Sequence, residues 1–191
     1  MNGDSAPYTA DIDAMCSDYV KQADIITGVS ESDTSRLLFV KAAATAVECA
    51  DDAQIVMIEC QSRDHLVASI GDEAIVDPSG LDKVTIKYTP TFDMLRALLA
   101  AWHCGLGTGE PPKDTLDSEA GFLVWGGSEQ AERKELWTPD YLFIDGMSAV
   151  TSDASMPVLW GLLNNTLDHI NQSRKAQGQG VCQLVIGLAD E

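Results

Sequence analysis

Two short stretches hold the residues whose types and spacing suggest chemistry. The first is Gly28-Val29-Ser30-Glu31-Ser32-Asp33-Thr34-Ser35, set between a β-prone run and a long helical segment. A loop that cradles phosphate reads Gly-x-x-x-x-Gly-Lys-Ser/Thr in such a slot. Its glycines let backbone N–H groups wrap the phosphates, and its lysine reaches the outer ones. Here Gly28 and Ser35 stand at the two ends, but Asp33 replaces the second glycine and Thr34 the lysine. A carboxylate then lies where phosphate would sit, with no ammonium to offset it. This degenerate nucleotide loop is expected to have lost nucleotide binding, or to retain it only weakly.

The second stretch is Tyr141-Leu142-Phe143-Ile144-Asp145, an apolar strand that ends in an aspartate. It has the look of the Walker B strand of P-loop ATPases. Without the phosphate lysine, Asp145 is expected to cap the following turn or to hydrogen-bond Ser35 and the loop. Other arrangements fall away on spacing. His65, His103 and His169 lie far apart with no cysteine or carboxylate at metal-ligand spacing, so no metal site is expected. No Gly-x-Ser-x-Gly elbow is present for a serine hydrolase. Phe39-x-x-Ala42 matches a short docking signature of recombinases, but it falls inside a predicted core helix, where Phe39 should be buried. Trp125 and Trp137 flank a long polar loop and are possible interface anchors, with local packing as the plain alternative.

The elements that must position these residues follow from apolar patterning. Ala23 to Thr27 reads as a short strand, and Ser32 or Asp33 is expected to cap a helix running to about Ala50. Gln54 to Cys60 contains Ile55, Val56, Met57 and Ile58 in succession, which suits a strand buried on both faces. Val84 to Tyr88 alternates as a half-buried strand. From Thr91 to Cys104, Phe92, Leu95, Leu98, Leu99 and Trp102 recur at helical spacing. Met156 to about Lys175 reads as a helix with Pro157 in its first turn, and Val181 to Leu188 as the last strand. Strands that alternate with helices and run apolar throughout predict an α/β fold with a mostly parallel sheet.

Composition bounds the rest. The chain has 191 residues, 45% of them apolar, enough for one domain with a real core. Residues 1–22 read as an acidic mobile tail, and 105–137, rich in Gly, Pro and charge, as a flexible insertion within a domain spanning 23–191. No apolar run is long enough to span a membrane, and the acidic N-terminus resembles no leader peptide. Twelve basic against thirty acidic residues give a net charge of −18, which disfavours a large nucleic-acid face on this chain. Cys16, Cys49, Cys60, Cys104 and Cys182 are odd in number and widely spaced, as in reduced cytosolic or nuclear proteins.

The order of these elements resembles the RecA-like core of eukaryotic recombinase paralogues, particularly the small paralogues of Shu-type complexes. The stretch Asp33 to His65 supplies the degenerate loop, helix and buried strand. Lys87-Tyr88-Thr89-Pro90 then runs from a basic, β-prone strand through a proline into a leucine-rich helix, as in those proteins. The resemblance covers about residues 23–190. It implies a reduced P-loop ATPase core that acts as a nuclear pseudo-ATPase without a cofactor of its own. ATP would sit on a second RecA-like paralogue, its obligate heterodimer partner. The pair would assist a recombinase filament on single-stranded DNA in homologous recombination repair, with weak direct nucleic-acid binding by this chain. Asp145 would then serve assembly and not catalysis.

Departures from the pattern matter equally. Catalytic members of that family carry a glutamate just beyond the second core strand. The corresponding place here falls near Cys60-Gln61, where a glutamine cannot act as a general base, with Glu59 one or two residues away. The chain also stops at Glu191, short of the closing strands of a full recombinase. Two alternatives remain: a P-loop-type nucleotide hydrolase that uses Asp145, and an acidic α/β adaptor unrelated to recombination.

Overall fold

The structure, a computed structural model, describes residues 23–71, 78–103, 138–152 and 154–189. In chain order these form β1 (Asp24–Gly28), α1 (Glu31–Glu48), β2 (Ile55–Glu59), α2 (Arg63–Ile70), a 3-10 segment (Pro78–Lys83) and β3 (Val84–Tyr88). There follow α3 (Phe92–His103), β4 (Tyr141–Asp145), α4 (Met147–Val150), α5 (Met156–Ala176) and β5 (Gln183–Ala189). The five strands make one sheet in the order β1-β5-β4-β2-β3, and every pairing in it is parallel.

Helices cover both faces, which explains why the central strands are apolar at every position. Along β2, Ile55 and Met57 point to one face, where they join Leu38, Ala42 and Ala46 of α1 and Leu66 of α2. Val56 and Ile58 point to the other, packing with Leu95 and Leu99 of α3 and Leu159, Leu163 and Leu167 of α5. All five residues of β2 are buried, whereas every residue of the edge strand β3 is only half-buried. Burial of Leu or Ile side chains on this scale contributes about 1.5–3 kcal/mol each.

The expected strands and long helices are present, with small shifts at their ends. Pro157 does stand in the first turn of α5. The helix α2 has no counterpart in the sequence reading, because it buries only Leu66 and Ser69 and carries almost no amphipathic signal. It begins where Ser62 Oγ accepts the His65 N–H at 3.1 Å. Phe39, expected in the core, is only partly buried against it, and the fully buried residue is its neighbour Leu38. On the outer side of α1, Leu37, Val40 and Val47 form an exposed apolar stripe, 38–44% accessible. The expected tail at 1–22, the insertion at about 105–137, and Trp125 and Trp137 lie outside the described residues.

Candidate functional site

The chain's connections diverge between β2 and β4. From β2 it runs through α2 to the outer neighbour β3, on the face covered by α1. From β4 it runs through α4 and α5 to β5, on the opposite face. In open α/β sheets the crevice outside the carboxyl ends of strands at such a point is where ligands bind. The last residues of these two strands are Glu59 and Asp145, and they are direct register partners.

Both carboxyls are buried, Glu59 at 0% and Asp145 at 1% accessibility. Glu59 Oε1 accepts the backbone N–H of Gln61 at 3.0 Å. Glu59 Oε2 and Asp145 Oδ2 have no partner so long as both groups are ionised. Two carboxylates side by side in a low-dielectric site cannot both keep their charge cheaply. Burial first, and then the facing Asp145 charge, push Glu59 up to about 8. Burial raises Asp145 as well, while the Ser35 hydroxyl, the Gly146 N–H and Glu59 pull it back. Burial thus shifts both carboxyls of the pair toward the protonated form.

The degenerate loop takes a different form from the one expected. The helix cap is Ser30, not Ser32 or Asp33: its Oγ accepts the Asp33 N–H at 3.1 Å. Helix α1 therefore starts at Glu31, and Asp33 and Thr34 stand in its first turn instead of in an open loop. The physical reason is local. Serine is among the best caps, and Glu31 and Asp33 complement the positive end of the helix dipole. Two of the first-turn backbone donors, the Asp33 and Thr34 N–H groups, are thus taken up by Ser30 Oγ and Ser30 O. Asp33 turns outward to pair with Arg36 at 3.3 Å. Thr34 turns back, its hydroxyl 2.9 Å from Ser30 O and 3.4 Å from Leu188 O, and Ser35 donates to Glu31 O at 3.0 Å.

Two glycines let these parts meet. A Cβ on Gly187, in the middle of β5, would stand 2.5 Å from Asp145 Oδ1 and 2.9 Å from Thr34 Cγ2. A Cβ on Gly28 would lie 2.6 Å from Thr34 N. Strand β5 thus separates β1 from β4, yet its glycine opens a gap across which the Thr34-Ser35 turn reaches Asp145. Above the pair, Gln61 Nε2 donates to Glu31 Oε2 at 3.3 Å, bridging α1 to the turn after β2.

The structure brings together Gly28, Thr34, Ser35 and Asp145, and it leaves Asp33 at the rim. Ser35 lies close enough to Asp145 to pull its pKa down, while its hydroxyl donates to Glu31 O. The carboxyl beside Asp145 is Glu59, one residue before the Cys60-Gln61 position inferred from spacing, because β2 ends on it. Register cannot be counted from one strand, but an acidic residue closing an otherwise apolar run was a usable signal. Gly187 was missed, since nothing local marks it. Among the described residues no group of three or more His, Cys, Asp or Glu is arranged to hold a metal ion. Cys49, Cys60 and Cys182 are free thiols, and burial pushes Cys60 and Cys182 up to about 12, far from reactive.

Fold and site define an α/β protein with a parallel sheet flanked by helices and an acidic pair at its switch point. No family model, no curated protein and no solved structure matches this chain.

Proposed function

We propose that this chain is a non-catalytic, RecA-like recombinase paralogue that works as the obligate partner of a second, ATP-binding paralogue in homologous recombination repair. The observation that carries the reading is the nucleotide slot filled from within. With α1 starting at Glu31 and capped by Ser30, the turn that would wrap phosphate is wound into helix and carries Asp33. The exposed stripe of Leu37, Val40 and Val47 on α1, with Ile25 at 44% accessibility on the edge strand, supports a partnered life. The net charge of −18 favours a basic partner that makes most of the DNA contact.

The hydrolase alternative draws on one specific observation. Glu59, a possible general base, is retained beside Asp145. Equilibrium binding of a labelled ATP analogue to the purified chain separates the two readings. Background binding is expected, together with co-purification with a larger ATPase that has an intact phosphate lysine. Saturable micromolar binding by the chain alone overturns the proposal in favour of the hydrolase. Asp145→Ala is expected to weaken the complex with that partner without changing the background ATPase.

A further inference from the structure

We propose that Glu59 and Asp145 form a pH-sensitive clasp, a single shared proton joining the tips of the two strands at the switch point. The inference stands apart from the recombinase reading and rests on geometry. The two residues are register partners, both are fully buried, and each presents an oxygen with no other partner. Among the described residues neither carboxyl is ion-paired with a lysine or arginine. Glu31 of α1 faces Glu59 with a further negative charge, as Asp145 of β4 does. His65 of α2 faces Asp145, and Arg63 of the same helix acts on Tyr88 of β3, which itself faces Glu59. Cys60 lies against both carboxyls and stays a neutral thiol.

With one proton the pair is a charge-assisted hydrogen bond across β2 and β4, holding the Cys60-Gln61 turn against Gly146. Loss of that proton leaves two buried anions in register, and their repulsion opens the end of the sheet. The pH window follows from the two states of Glu59. In the unfolded chain it ionises near 4.5, and in the folded chain it keeps its proton to about 8. Between these values the folded chain holds a proton that the unfolded chain has released, so rising pH favours unfolding. The contribution is fully present below about 4.5 and gone above about 8.

Glu59→Gln tests this, because its amide donates to Asp145 at every pH while its carbonyl still accepts from the Gln61 N–H. Thermal midpoints of both chains are compared from pH 5 to 9, which cancels the titration of other carboxyls. The variant is expected to gain on the wild type by several degrees as pH rises to about 8, then level off. A difference that stays constant across this range overturns the proposal. Peptide-resolved thiol labelling supplies the local readout. Cys60 should react several-fold faster in the wild type than in the variant at pH 8.5, and equally at pH 6. Equal rates at both values overturn the opening. Should the glutamine variant fail to fold, infrared difference spectra of the wild type against Asp145→Asn decide the matter. A carboxylic-acid band at pH 7 in the wild type, lost at lower pH in Asp145→Asn than in the wild type, supports the clasp. Absence of that band in the wild type at pH 7 overturns it.

Discussion

The two ends of the sheet treat their buried charges in opposite ways. At the amino ends of β4 and β5, Arg174 is 3% accessible and every bond it makes has a purpose. It donates to Asp140 Oδ1 at 2.5 Å, to Thr138 O at 2.7 Å and to Gly180 O at 2.6 Å. Asp140 also takes the Gln54 N–H at 2.9 Å, so β4, the turn before β2 and the end of α5 are tied to one another. At the carboxyl ends, Glu59 and Asp145 are just as buried but, among the described residues, neither has an ion pair, and two of their four oxygens lack a partner unless a proton is shared. A buried charge with complete partners holds the fold, while one without them is a point of instability kept for some other reason. The contrast sets the carboxyl end apart as the one whose buried polar groups are incompletely partnered.

The largest effect is expected at the satisfied end. Arg174→Ala removes three hydrogen bonds and leaves Asp140 without its cation, with an expected loss of about 3 kcal/mol in urea denaturation. Arg174→Lys should recover less than half, since one ammonium cannot serve two carbonyls and a carboxylate in the guanidinium's planar geometry. If Arg174→Ala proves neutral, the two ends do not differ as described.

At the opposite end, Gly187→Ala drives a methyl group against Asp145 Oδ1 and Thr34 Cγ2. It is expected to cost about 1–3 kcal/mol by the same measurement. Combined with Asp145→Ala the loss should be smaller, because the closest clashing atom has gone. A double-mutant cycle with no coupling would show that the gap over Gly187 does not join these parts. The smallest effect is expected for Ser30→Ala, about 1 kcal/mol from loss of the cap on α1. It frays the first turn of α1, beside Asp145, and leaves the amino end untouched.

Much of this was legible in the chain itself. The run Ile55 to Ile58 suits a strand covered on both faces, and the three- and four-residue steps of Leu95, Leu98, Leu99 and Trp102 suit a helix with one buried side. The comparison of Asp33 and Thr34 with the glycine and lysine of a phosphate-cradling loop rests on residue type alone, so it too was made from the chain itself. By contrast, α2 could not be read, since Arg63 to Ile70 owes its helix to the Ser62 cap and the packing of Leu66 more than to any periodic pattern.

Residue types and local patterning thus determined the α/β class, the strands and the major helices. Those properties depend on neighbours within a few residues. Tertiary structure alone decided that Glu59 lies beside Asp145, 86 residues apart in the chain as the subtraction 145 − 59 gives, because parallel strands meet only through long crossovers. It also decided that Gly187 makes room for both Thr34 and Asp145. The ionisation of a carboxyl depends on what surrounds it in space, and burial beside a second carboxyl is a property no single segment carries.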